Sequence, residues 1–166
     1  MSPDAPNVRL RRVREDDLPI LFEHQLDPEA NRMANFPPRE RDAFMAHWTR
    51  ILADAYNVAE AIELDGEIVG NIVSWTHDGE RDVGYWIGRK HWGAGIATAA
   101  LRVLLSDLEE RPLFAYVVEH NIGSIRVLEK CGFRRVDRVE LPEGEGGGFE
   151  LRYRLDDPGP ASATIA

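Results

Sequence analysis

The segment Gly88-Arg89-Lys90-His91-Trp92-Gly93-Ala94-Gly95-Ile96-Ala97-Thr98 joins a strand-like run to a helix-like run. Two glycines at such a junction let the chain turn tightly and leave several N–H groups free at a helix N-terminus. Those donors, with the positive end of the helix dipole, suit a phosphate. Arg89 and Lys90 add positive charge beside them. Two nucleotide loops do not fit. A P-loop needs Gly-Lys-Ser/Thr, and no glycine here is followed by lysine. A dinucleotide fingerprint needs a third glycine at position 98, which is Thr98. Taken alone, a Gly-x-Gly also serves as a close helix–strand contact. A second segment, Asn121-Ile122-Gly123-Ser124-Ile125-Arg126-Val127-Leu128-Glu129-Lys130-Cys131-Gly132-Phe133, opens on an N-cap residue and carries Ser124 in the first turn. Capping alone accounts for both side chains.

These segments need elements to hold them. Residues 8–13 alternate apolar and basic side chains, as in an edge or half-buried strand. Asp16 and Asp17 precede Leu18, Ile20, Leu21 and Phe22, an N-cap signal for a short amphipathic helix. Asn35-Phe36-Pro37-Pro38 breaks the chain, and Phe44, Trp48, Ile51 and Leu52 mark a second helix over residues 39–55. Residues 58–64 and 67–75 have period two and are joined by Asp65-Gly66, a two-residue hairpin signal. A turn over 77–81 and a strand over 82–88 follow. Ala97, Leu101, Leu104 and Leu108 form a helical stripe. Residues 112–118 are a strand, and 121–131 a helix closed by Gly132. Strands 133–141 and 149–155 flank a glycine-rich loop at 144–148. The order β-αα-βββ-α-β-α-ββ describes a mixed α/β fold.

Composition bounds the function. The chain has 166 residues, 20 basic and 29 acidic, for a net charge of −9. One domain over residues 1–156 is expected, with a polar, proline-containing tail at 157–166 expected to be disordered. A pI near 5.0 argues against a nucleic-acid binder and fits a cationic partner. Cys131 is the single cysteine, so no disulfide framework or Cys-rich zinc site forms within one chain. It ends a helix on an apolar phase and reads as a packing residue. His24, His47, His77 and His91 are scattered, and no metal is expected. No apolar run approaches the roughly 20 residues of a membrane span, and no signal-peptide pattern is present. A cytoplasmic location without a membrane partner is expected.

Together, about 30 residues apart, the two segments resemble the GNAT superfamily of acetyl-CoA-dependent N-acetyltransferases. The family's Gln/Arg-x-x-Gly-x-Gly/Ala pattern falls on Lys90-His91-Trp92-Gly93-Ala94-Gly95, and its later Asn-x-x-Ser…Gly-Phe pattern on Asn121, Ser124, Gly132 and Phe133. The Gly84-Tyr85-Trp86-Ile87 stretch resembles the branch of ribosomal-protein N-terminal acetyltransferases (the Rim type). The resemblance spans residues 8–155 and implies a largely antiparallel sheet flanked by helices. It implies acetyl-CoA as co-substrate, its pyrophosphate held by the backbone of Lys90, Gly93, Ala94, Gly95, Ile96 and Ala97. The pantetheine arm would lie along Tyr85, Trp86 and Ile87 like an added strand, reached by Asn121. Two departures stand out: Lys90 replaces Gln or Arg, and Leu128 stands where many relatives carry a tyrosine proposed as general acid.

Direct acetyl transfer to an amine requires a deprotonated amine, donors for the oxyanion and stabilisation of the thiolate. The resemblance assigns the oxyanion to backbone amides of Tyr85, Trp86 and Ile87, and leaves Ser124 as the hydroxyl for the thiolate. Asp82, Glu80, Glu119 and His120 are the candidate bases, each with an alternative reading as a solvated strand end. Glu140, Glu143 and Glu150 belong to the last strands and are long enough to reach the acceptor, but spacing alone does not place them. Phe36 and Trp48 come from the region that forms the acceptor wall in the family, or else pin the second helix. The catalytic set is thus Ser124, Asp82 and Glu119. The acceptor set is Phe36, Trp48, His120 and Glu150, for a small amine or a peptide N-terminus. A homodimer is allowed. A non-catalytic acyl-CoA-binding module of the same fold is the alternative.

Overall fold

The computed structural model of the chain describes residues 5–156. The tail expected at 157–166 lies outside the described residues. In chain order the elements are β1 (Val8–Arg12), α1 (Leu18–His24), α2 (Pro28–Ala34), α3 (Arg41–Ala53), β2 (Val58–Leu64), β3 (Glu67–His77) and β4 (Glu80–Ile87). Then follow α4 (Ile96–Asp107), β5 (Leu113–Val118), α5 (Ile122–Lys130), β6 (Arg134–Glu140) and β7 (Phe149–Leu155).

The strands form one sheet in the order β1-β2-β3-β4-β5-β7-β6. Neighbours are antiparallel except β4 and β5, which run parallel. That pair is joined only at Arg81↔Leu113 and Asp82↔Phe114. Beyond it β4 keeps pairing with β3, and β5 with β7, to their ends. The two strands therefore diverge, and their inner edges carry peptide groups with no strand partner.

Alternation along the strands sends apolar side chains to both faces. On one face Ile96, Ala100, Leu101 and Leu104 of α4 pack with Ile72, Val83, Leu113, Leu151 and Tyr153. On the other, Leu21, Phe22, Phe44 and Trp48 cover Ala59 and Ala61. Two tight hairpins set the meander: Asp65-Gly66 has φ of 52° and 80°, Asp78-Gly79 of 49° and 79°. Both residues of each turn are left-handed, as a hairpin matched to strand twist requires. The second turn is thus tighter than the expected 77–81, and β3 and β4 run up to it.

Helix α2 is absent from the order expected from sequence. Asp27 accepts from the Ala30 N–H at 2.8 Å and Pro28 opens the helix, a complete start signal for only seven residues. Asp17 does not cap α1 through its side chain. It accepts instead from the Arg14 N–H and, bidentately, from the Arg11 guanidinium at 2.7 and 2.9 Å.

Candidate active site

The divergence of β4 and β5 opens a cleft of about 510 Å³. Its floor is Tyr85, Trp86 and Ile87, one wall the 91–98 segment, the other α5, with Ala30, Met33 and Ala34 of α2 as a roof. Gly93 and Gly95 take φ of +81° and +77°, left-handed values that L side chains rarely adopt. Gly95 is the N-cap of α4 and supplies no side chain, so the first N–H groups of α4 have no side-chain cap. A Cβ at Gly95 would come 3.6 Å from the Pro6 ring. The loop is braced by Trp92, whose indole N–H donates to the Ile87 carbonyl at 2.9 Å. The Trp86 indole donates to the His24 carbonyl at 3.1 Å, tying β4 to α1.

The cations stand differently from expectation. Arg89 lies 3.3 Å from Asp27, and Lys90 reaches Glu67 at 3.1 Å. Neither Lys90 nor Ala94 is among the residues lining the cleft, which do include Tyr85, Trp86, Ile87, Gly93, Gly95, Ile96, Ala97 and Asn121. Its cationic side chains are Arg126 and Lys130 of α5. Sequence reasoning missed them, although Gly123, Arg126, Val127 and Lys130 share a helix face by spacing alone. A glycine-lined helix start facing two cations suits the phosphates of a nucleotide-type ligand.

A second pocket of about 140 Å³ abuts the cleft, with Gly84, Tyr116, Val118, Leu128 and Glu150 in its lining. Ala34, Tyr85, Asn121 and Ser124 line both. Ser124 is fixed by its N–H donating to Asn121 Oδ1 at 3.2 Å, and its Oγ lies 2.8 Å from the Tyr85 hydroxyl. Burial pushes the Tyr85 phenol up, so it keeps its proton near neutrality. Leu128 is buried there and offers no hydroxyl.

The acids separate by environment. Glu150 lines the second pocket, and burial pushes its carboxyl up. Asp82 is 3% exposed, at the last β4–β5 pair, and its Oδ1 has no hydrogen-bond partner among the described residues. Burial, then Glu80, pushes its pKa up to about 6. Glu80 is engaged by Arg152 and by the Tyr116 hydroxyl. Glu119 differs from expectation: Arg138 holds it at 2.6 and 3.0 Å, drawing its pKa down, and it lines neither cavity. A carboxylate so paired makes a poor base. His120 is occupied by the Arg32 carbonyl, 2.9 Å from its Nε2. Of the two readings of Trp48, the structure fits the one that pins its helix: it is buried in the α1–α3 core beside Phe44 and lines neither of these two cavities. Phe36 is exposed, its ring 6.2 Å from that of Trp86 and under the Arg39 guanidinium. Glu140 and Glu143 are exposed and line neither cavity. Among the described residues no group of three His, Cys, Asp or Glu could hold a metal, and no helix is long and apolar enough to cross a membrane.

Comparison with known proteins agrees with this geometry. The chain is 26% identical over 142 residues to an uncharacterized N-acetyltransferase p20 of Bacillus licheniformis, covering 77% of this chain and 79% of that one. The Mycobacterium smegmatis RimJ structure, in complex with CoA-disulfide, superposes with a TM-score of 0.72 at 26% identity, over 92% of this chain and 83% of that one. The fold is also that of a spermidine N-acetyltransferase from Vibrio cholerae, solved with CoA and spermine. That likeness has a TM-score of 0.78 at 15% identity, over 90% and 95% of the two chains. Residues 7–134 match the acetyltransferase (GNAT) domain. The chain, with its parted strands and glycine-started helix, belongs to the GNAT acetyltransferase family.

Proposed function

We propose that the chain moves the acetyl group of acetyl-CoA to a primary amine by direct attack, with both substrates bound at once. The observation that carries this reading is the meeting of two cavities at Tyr85 and Ser124: a long cleft with a phosphate-type end, and a small pocket holding a carboxyl. The N-terminal N–H groups of α4, with Arg126 and Lys130, would hold the CoA phosphates. The unpaired inner edge of β4 would bond the pantetheine arm as an added strand. That arrangement brings the thioester to the junction, where β4 amides face the carbonyl oxygen as it gains charge. Ser124 donates a hydrogen bond to the departing sulfur. Glu150 takes the amine proton, because it is the carboxyl lining the acceptor-side pocket and its raised pKa suits a base. The acceptor is a slim amine or a peptide N-terminus, since about 140 Å³ admits little more than the reacting end.

Replacing Ser124 tests the assignment. Ser124→Ala should lower kcat on the order of 10²-fold and leave the KM for acetyl-CoA nearly unchanged, as for loss of one transition-state donor. An unchanged kcat returns Ser124 to a capping-region residue. A non-catalytic acyl-CoA-binding module is the second reading, favoured by the apolar Leu128; acetyl-CoA binding without turnover on any amine would establish it.

A further inference from the structure

Among the described residues the hydrogen-bond partner of Ser124 Oγ is one atom, the Tyr85 hydroxyl at 2.8 Å. The two side chains come from different elements, β4 and α5, so the pair bridges the floor and wall of the cleft. The same tyrosine oxygen is 3.3 Å from the Ser124 carbonyl. A serine hydroxyl has one proton to give. If that proton points at Tyr85, none is left for a sulfur in the cleft. If the tyrosine O–H donates its hydrogen bond to Ser124 Oγ, the serine O–H is free to point toward the junction of the two cavities. Either hydroxyl can be the donor at this distance, and exchanging the two states moves no heavy atom.

We infer that Tyr85 is a positioning residue that sets Ser124 as a donor to the leaving sulfur, through a concerted turn of two hydroxyl groups. This rests on the acetyl-transfer reading above. The nitrogen–carbon bond forms and the carbon–sulfur bond breaks; its electron pair goes to sulfur, and the amine proton goes to Glu150. No proton is lost from Tyr85. Its burial keeps it neutral and therefore a donor. The negative sulfur is met by Ser124 O–H, and the serine oxygen, thereby made more electron-rich, is met by Tyr85 O–H. Hydrogen bonds linked in this way polarise and strengthen one another, more so where side chains are partly shielded from water, as these two are. The tyrosine missing at position 128 is thus replaced by a two-hydroxyl arrangement reached from β4.

The test is the ionisation of the CoA thiol in the complex with the full chain, followed by thiolate absorbance against pH. It is run for the wild type, Tyr85→Phe, Ser124→Ala and the double variant, each checked for an unchanged thermal midpoint. Wild type should ionise the bound thiol at the lowest pH. Tyr85→Phe and Ser124→Ala should each raise that pH by about one unit, and the double variant should match Ser124→Ala, because Tyr85 acts through Ser124. In turnover, Tyr85→Phe should lower kcat about 10-fold with the KM for acetyl-CoA unchanged. A thiol titration identical in wild type and Tyr85→Phe overturns the inference while leaving acetyl transfer standing. So does a double variant whose losses add. Should Tyr85→Phe lower the thermal midpoint, the titration is run at a temperature where that variant is fully folded, and a wild-type thiol titration there still overturns the inference. If the wild type binds no CoA, the acetyl-transfer reading and this one fall together.

Discussion

Glu150 is half-buried and Asp82 buried, and their places give the two carboxyls different consequences. Glu150 lines the second pocket, so in the proposed reaction its charge state would govern the amine. As a base it works only when deprotonated. The kcat/KM should therefore rise with pH through a carboxyl ionisation above the usual range, and Glu150→Gln should remove that limb and cost about 10²–10⁴-fold. Asp82 lines neither cavity, and its effect is on stability. Its pKa rises from 3.8 to about 6 on folding. Between those values the folded chain binds more protons at this group than the unfolded chain, so the group's contribution to stability falls as pH rises. Above about 6 the penalty is fully present. Asp82→Asn should then be the more stable protein at pH 7, by on the order of 2 kcal/mol, and the gap should close as pH falls through 6 toward 4. Chemical denaturation at several pH values measures it. A gap that is constant with pH would mean that Asp82 is already compensated. Glu119 shows why sequence could not rank these acids. Its place at the end of β5 is right for a base, but the partner that quenches it, Arg138, comes from β6, 19 residues on.

The loop–helix junction at Gly95 carries the next prediction. Its φ of +77° strains any L side chain, and a valine would also obstruct the approach to the α4 N–H groups. Gly95→Val should lose about 1–2 kcal/mol of stability and most of its affinity for acetyl-CoA while remaining folded. Calorimetry on the folded variant decides, and wild-type affinity would remove the phosphate site from this junction. The elements that build this junction were legible in the sequence because each signal is local. A period-two run, Asp-Gly turns, a Gly-x-Gly ahead of an apolar stripe and Asn121 ahead of a helix need no partner to be read. Helix α2 was not, because seven residues give too few turns for periodicity to appear. Yet it roofs the cleft, and its C-terminal Asn35 reaches the Glu145 carbonyl of the β6–β7 connection at 2.9 Å. Trp48 stayed ambiguous for a related reason: helical spacing shows that a side chain faces inward, without saying whether a core or a pocket lies there.

Across the whole molecule the charge of −9 is unevenly used. Glu67 and Asp27 neutralise Lys90 and Arg89, while Arg138 and Arg152 neutralise Glu119 and Glu80. The cleft keeps the cations Arg126 and Lys130, and the second pocket keeps the carboxyl of Glu150. In the proposed reaction an anionic acyl carrier on one side and a cationic amine on the other would each meet complementary charge. The sheet makes this division possible, because β4 and β5 part after two residue pairs and leave a passage where the two cavities meet at Tyr85 and Ser124. That passage is the centre of the account, and it is tested by following CoA thiol release from acetyl-CoA across a panel of primary amines and peptides. The account predicts thiol release that requires the amine, equals the acetylated product mole for mole, and is lost in Gly95→Val. Acetyl-CoA that binds tightly and is never cleaved with any amine would contradict it.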